Sequence, residues 1–333
     1  MRLKVGLLGG GSWGTTVAAV VSRNAPIMLW ARDADTVAAI NGDHRNPRYL
    51  PDIGLPPALH ATADMAEAVA GADVLVVGVP SHSFRGVLEE ARAHLRPWVP
   101  VISLTKGLEL ASGKRMTELI EEILPGHPVG VLTGPNLARE IMSGQAAASV
   151  LSMEDEIVVR ALQPLFHSGL FRVYTNTDRL GCELGGVLKN IVAIAVGMGD
   201  GLGAGDNTRA GLITRGLSEI TRLGVAMGGR PETFAGLTGM GDLIATCTSP
   251  LSRNRHVGVE LGKGRHIDAI VAEMHMVAEG VKSAPTVMAL ADRHGIDMPI
   301  ARDVFDVTQG RRSAQEVFRG LLRSAVGDEA HPG

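Results

Sequence analysis

The chain has 333 residues, 45% of them apolar and 20% charged, with a formal net charge of -3 and an isoelectric point near 6.4. That length is enough for two ordinary domains with a sizeable core, and the near-neutral balance excludes a global attraction to nucleic acid or anionic membranes, so an anionic ligand must be held by a local site. Cys182 and Cys247 are the only cysteines and lie in no CxxC or Cys/His cluster, which excludes a disulfide-stapled scaffold and fits a reducing, cytoplasmic compartment.

The N-terminus MRLKVGLLGGG has basic residues before a short apolar run but no signal-peptide cleavage site, so it reads as a first strand. Apolar runs elsewhere fall short of the roughly 20 residues needed to span a bilayer, so no stable membrane insertion is expected. KVGLLG (4–9) leads directly into GGGSWG (9–14), a GxGxxG pattern at Gly9, Gly11 and Gly14. Such glycines give a tight turn, a bare backbone open to a pyrophosphate and close helix–strand packing, and the helix that follows offers free N–H groups to the phosphate. IMLW (27–30) is the next strand, ending in LWARD. Arg32 is the residue type that accommodates a 2′-phosphate, while Asp33 stands close to the ~20-residue spacing of an acid that grips a ribose hydroxyl, or else caps the next helix. The balance favours NADPH, with NADH as the second choice.

VLVVGV (74–79), PVISL (100–104) and VGVL (129–132) continue the series of short apolar runs, with helical stretches such as FRGVLEEARAHL between them. Continuous apolar strands alternating with helices predict an α/β domain with a mostly parallel, doubly wound sheet. PSH and TKGLE follow two of these strands, which places Lys106 at the carboxyl edge where ligands bind in open α/β sheets. In TGPNLARE (133–140), Gly134 and Pro135 shape a turn and Asn136 is placed to cap a helix. After Asp178 the β-branched runs end, and helical periodicity covers 181–198, 209–227, 280–294 and 313–323. The chain therefore divides into residues 1–178, binding a dinucleotide, and an all-α domain, 179–333.

In the helical half, GGVLKNIVAIAVG sets Lys189 in an apolar run. On a helix, Gly185, Gly186 and Ala193 share its face and would clear room there, while Val187, Leu188, Ile191 and Val192 point elsewhere and anchor the helix. TGMGDLIATCTSPLSRNRHVG (238–258) holds Asp242 in an apolar setting that calls for a cationic partner or a cap. At its end, Ser252, Arg253 and Asn254 stand at a helix start, where N–H groups and a planar guanidinium converge on a phosphate. VAEG (277–280) puts Glu279 before a helix. The histidines show no metal-ligand spacing, and no metal is expected.

Taken together, GGGSWGTTVA, LWARD, RYLPDIGLP, VVGVPSH, SLTKGLE, TGPNLARE, GGVLKNIVAIAVGMGDGLG, TGMGDLIATCTSPLSRNR and VAEG, in this order, resemble the bacterial NAD(P)-dependent glycerol-3-phosphate dehydrogenases. The resemblance implies a Rossmann domain followed by a helical domain, usually in a homodimer, reducing dihydroxyacetone phosphate to sn-glycerol 3-phosphate for phospholipid synthesis. It further implies cofactor contacts at Gly9, Gly11, Ser12, Trp13, Gly14, Arg32, Tyr49, Lys106, Ala138, Arg253, Val277 and Glu279. Substrate contacts are implied at Lys106, Gly134, Asn136, Lys189, Asp242, Ser252, Arg253 and Asn254, with Lys189 as the acid/base. Two positions depart from the family pattern: Asn136 stands where Ser or Thr is frequent, and Gly10 where Ala is common. A 3-hydroxyacid dehydrogenase and a catalytically silent dinucleotide sensor are the alternatives. TKGLE and SRNR argue against the first, and the intact lysine, aspartate and arginine set against the second.

Overall fold

A computed structural model describes residues 3–274 and 278–321. The chain forms two compact units that divide after Glu183, inside the helix Arg179–Gly201. Val277 lies outside the described residues.

The first unit contains β1 (Val5–Leu8), β2 (Ile27–Trp30), β3 (Arg45–Asn46), β4 (Leu50–Gly54), β5 (His60–Thr62), β6 (Val74–Val77), β7 (Val101–Ser103), β8 (Val129–Thr133), β9 (Ala147–Met153) and β10 (Phe171–Asn176). Eight of them form one sheet in the order β10-β9-β8-β7-β6-β1-β2-β5, while β3 and β4 make a separate hairpin. Successive side chains of a strand point to opposite faces. Leu7 and Val76 accordingly pack in one core with Val17, Leu162 and Phe166, and Leu8 and Val77 pack in another with Phe84, Leu88 and Ile120. This two-sided burial is why the strands read as unbroken apolar runs. Pairing is parallel from β5 through β8, including Leu8 with Trp30 and with Val77, but β9 runs antiparallel to β8, with Leu132 opposite Leu151. The sheet is thus mostly parallel, as the sequence pattern predicts. β9 itself escaped the pattern because it opens on Ala147, Ala148 and Ser149, small residues that carry little strand signal.

Among the described residues the second unit is entirely helical. Its first helix, Arg179–Gly201, is long and apolar enough by length and composition to cross a membrane, yet 94% of its apolar window is buried against protein, the condition of a core helix. Its neighbour in the core is the helix Arg253–Gly262. A Cβ at Gly197 would come 2.2 Å from the carbonyl oxygen of Arg255, and one at Gly258 2.1 Å from that of Ile194. Gly201 and Gly262 repeat the relation one turn on, at 2.3 Å from the Val259 oxygen and 2.4 Å from the Met198 oxygen. The two backbones are in direct contact along this seam. Asp200 secures it from the side, accepting from Arg255 at 2.7 Å and from Arg209 at 2.8 Å.

Candidate active site

In the first unit the glycine turn sits between β1 and the helix Ser12–Val21. Gly9 has φ +125°, and a Cβ there would strike the Gly78 oxygen at 2.6 Å; Gly14 packs with its Cβ position 2.0 Å from the Gly9 oxygen. Gly11, between them, faces open space. It is also the N-cap of the helix and brings no side-chain cap, so Ser12 and Trp13 begin a helix whose first N–H groups are available to an anion. Trp13 stands edge-on to Phe171, with centroids 6.2 Å apart, and its indole Nε1 is buried with no partner in the protein.

At the end of β2, Asp33 is the N-cap of the helix Ala34–Asp43, its carboxylate accepting from the Asp35 N–H at 3.2 Å and the Thr36 hydroxyl at 2.7 Å. Of the two roles open to this residue, capping is the one its hydrogen bonds serve. Arg32 is exposed and has no ion-pair partner among the described residues. Tyr49 is half-buried and lies beneath the Arg48 guanidinium, 5.5 Å from the ring centroid.

Beyond β7, the Lys106 ammonium donates to the Gly134 carbonyl at 2.9 Å and to Asn136 Oδ1 at 2.7 Å. This corrects one expectation: Asn136 does not cap a helix. Leu137 occupies the N-cap of Ala138–Met142, and the Asn136 amide turns to the lysine instead, a charge-assisted bond stronger than a neutral cap. Gly134 holds φ +130°, with its Cβ position 3.1 Å from Ser149 Cα, so the loop lies tightly on β9. Asn136 Nδ2 is buried without a partner. Two orphaned donors, Trp13 Nε1 and Asn136 Nδ2, together with the bare Gly11 backbone, fit a bound dinucleotide that presents oxygen acceptors along this edge.

In the second unit Lys189 is buried on the helix Arg179–Gly201, and its ammonium lies 2.8 Å from Asp242 Oδ1 and donates to the Thr246 hydroxyl at 2.5 Å. Asp242 and Thr246 stand one turn apart on Asp242–Thr248, and Thr246 in turn donates to Asp242 at 3.3 Å. All three are nearly inaccessible, with 7% of the Lys189 side chain left exposed. A lysine ammonium has three donors, and two are engaged here. The expectation that Gly185 clears room for a ligand is overturned. A Cβ there would sit 2.6 Å from the Thr238 oxygen, so the glycine allows the π-helical turn Leu237–Gly241 to pack on the lysine helix, and that packing brings Asp242 to Lys189.

Ser252 is the N-cap of Arg253–Gly262, its hydroxyl accepting from the Arg255 N–H at 3.2 Å. The Asn254 side chain is buried, donating to Asn190 Oδ1 at 2.9 Å and accepting from the Gly280 N–H at 3.0 Å. It therefore ties together the lysine helix, its own helix and the helix Glu279–His294, which Glu279 opens. Arg253 is accessible to solvent, yet crowding by protein lowers its pKa, opposed by the charge of Glu279; an arginine so placed remains a cation at every physiological pH. Sequence reasoning missed Thr246, Asn190 and Asn46. The spacing of Asp242 and Thr246 by four residues is the one signal that marks Thr246 as sharing a helix face with the aspartate.

The predicted residues thus fall into two sets, one in each unit: the first joins Lys106 to Gly134 and Asn136 and leaves Arg32 apart, and the second joins Lys189 to Asp242. Residues 4–159 match the model of the N-terminus, and residues 178–319 that of the C-terminus, of NAD-dependent glycerol-3-phosphate dehydrogenase. The chain is 89% identical over its full length, and the full length of the relative, to glycerol-3-phosphate dehydrogenase [NAD(P)+] 2 of Sphingopyxis alaskensis. It is 55% identical to the Mycobacterium avium glycerol-3-phosphate dehydrogenase [NAD(P)+], over 98% of this chain and 96% of that one. The crystal structure of glycerol-3-phosphate dehydrogenase from Coxiella burnetii superposes with a TM-score of 0.92 at 35% identity, covering 97% of this chain and 99% of that one. The chain belongs to the NAD-dependent glycerol-3-phosphate dehydrogenase family.

Proposed function

We propose that the protein reduces dihydroxyacetone phosphate to sn-glycerol 3-phosphate with NADPH or NADH, reversibly, with Lys189 as the proton donor. The observation that carries this reading is the enclosed Lys189–Asp242–Thr246 triangle in the same helical unit as the Arg253 helix start. When bound, the reduced nicotinamide supplies the hydride. Lys189 directs its remaining N–H at the substrate carbonyl oxygen and transfers a proton there as negative charge builds up. Asp242 fixes the ammonium in place and Thr246 limits its rotation. Arg253 holds the substrate phosphate away from the reacting carbon, assisted by first-turn backbone N–H groups, by the Ser252 hydroxyl, which accepts from Arg255 and keeps its own O–H to donate, and by the second amide N–H of Asn254. Lys106, tied to Gly134 and Asn136, brings a second cation to the substrate and cofactor.

From membership of this family we further infer a homodimer that acts in the cytoplasm and feeds phospholipid synthesis; a monomer mass by light scattering would remove the dimer from the proposal. Oxidation of NADPH and of NADH, followed spectrophotometrically with dihydroxyacetone phosphate, tests the reaction. Lys189→Ala is expected to lower turnover by about 10²–10⁴, the range of general acid catalysis, with cofactor affinity little changed. Wild-type turnover in that variant would remove Lys189 from the mechanism. Arg253→Ala is expected to raise KM for dihydroxyacetone phosphate while leaving unphosphorylated dihydroxyacetone unaffected, and an equal effect on both would end the phosphate assignment.

A further inference from the structure

The hairpin of β3 and β4, RNPRYLPDIG, has so far contributed only Tyr49 to the site. Its anchor is Asn46, fully buried, whose Nδ2 donates to the Gly10 carbonyl and to the Thr15 hydroxyl, both at 2.9 Å, while its Oδ1 accepts from the Tyr49 N–H at 3.3 Å. One amide therefore fastens residues 46–49 to the glycine turn and its helix. The segment so fixed carries Arg48, exposed, with its guanidinium over the Tyr49 ring and 3.6 Å from Asp33 Oδ2.

Asp33 occupies the place at which an acid after the second strand selects NADH by gripping the ribose hydroxyl and repelling a 2′-phosphate. Here both carboxylate oxygens serve the helix cap, and Arg48 offsets the charge. The Thr36 hydrogen bond, foremost, with the Asp35 N–H and Arg48, holds the Asp33 carboxyl below the usual carboxylate range, so it stays an anion already committed to those partners. Arg32 precedes Asp33 in the chain and the exposed Asp35 follows it in the first helical turn, while Arg48 reaches Asp33 from the hairpin. A solvent-exposed pair at 3.6 Å contributes little, so Arg48 is readily drawn to a dianionic phosphate, to which a guanidinium bonds in forked geometry.

We infer that Arg48, positioned by Asn46, is a second cation for the 2′-phosphate of an adenine dinucleotide and acts with Arg32 to make the site selective for NADP(H). The inference rests on the dinucleotide reading of the first unit and adds a selectivity residue to it.

Binding to the full-length protein can be measured calorimetrically with adenosine 2′,5′-bisphosphate, 5′-AMP, NADPH and NADH. Arg48→Gln is expected to weaken the bisphosphate and NADPH roughly tenfold or more, the loss of one charge-assisted contact, with 5′-AMP and NADH little changed. Arg48→Lys, which keeps the charge without the fork, is expected to recover part of the difference. Equal losses for phosphorylated and unphosphorylated ligands, or no loss at all, would overturn the assignment of Arg48 while leaving the dinucleotide reading in place. Tighter NADH with NADPH unchanged would also overturn it, since Arg48 would then only screen Asp33. A wild-type protein that binds none of the four ligands would end the dinucleotide reading and this inference together. Arg48 is exposed, so these substitutions leave the fold intact.

Discussion

Lys189 is a cation enclosed by protein, and its neighbours explain how an apolar helix tolerates it. Asp242 at 2.8 Å supplies the counter-charge and Thr246 at 2.5 Å a second acceptor. Removing one partner of a buried pair leaves the other charge stranded, so Asp242→Ala is expected to cost about 3–5 kcal/mol of stability by urea denaturation. Asp242→Asn keeps the shape and separates the loss of charge from the loss of packing. Thr246→Val removes a hydrogen bond at nearly constant volume, and about 1 kcal/mol is expected, with kcat falling more than KM for the phosphorylated substrate because the ammonium is less well aimed. A KM effect without a kcat effect would place Thr246 outside the proton transfer. At this scale the sequence revealed Lys189 and Asp242 as residues in need of partners, since charges do not stand alone in apolar runs. It did not reveal that they partner each other, because they are far apart in the chain and only packing brings them together.

The helix seam shows the same limit for larger pieces. The glycines of Arg179–Gly201 read as a cost to helix stability, and their return is visible only when the opposing helix is in place. Gly258→Ala would drive a methyl group to 2.1 Å from the Ile194 oxygen, and a loss of about 1–3 kcal/mol in thermal unfolding is expected from such overpacking. Gly211→Ala makes the identical chemical change on the exposed side of Asp206–Ala226, where nothing lies within 4 Å, and is expected to stabilise by about 0.5–1 kcal/mol. Two shifts of the same sign would mean that the seam is looser than its geometry indicates. Periodicity located the long helices to within a few residues, as with 209–227 against Asp206–Ala226. It passed over β9, the hairpin of β3 and β4, and short helices such as Pro231–Ala235, because these elements are held by neighbours and carry little periodic signal of their own.

For the molecule as a whole, stability is linked to pH through a carboxylate that the chemistry does not use. Glu219 is buried, and desolvation pushes its pKa up to about 7, although it accepts from the N–H groups of Ile300 at 2.8 Å and Ala301 at 3.2 Å at the start of Pro299–Thr308. An unfolded glutamate titrates near 4.3, so between these two values the folded chain holds the extra proton. The resulting stability is fully present below about 4.3 and is lost as pH rises through the folded pKa, an upper limit of roughly 4 kcal/mol. Denaturation of wild type and Glu219→Gln between pH 5 and 8 is therefore expected to show a gap that widens toward pH 8 in favour of the variant, and parallel curves would contradict the linkage. By itself the sequence determined the class of each half, the cofactor turn and the family, because periodicity, glycine spacing and ordered motifs are local properties written in consecutive residues. Only the tertiary structure decided which charges meet, that Asn136 serves Lys106, and that Gly185 admits a neighbouring backbone. Those outcomes depend on which surfaces pack together, and a buried group takes the partner that packing delivers.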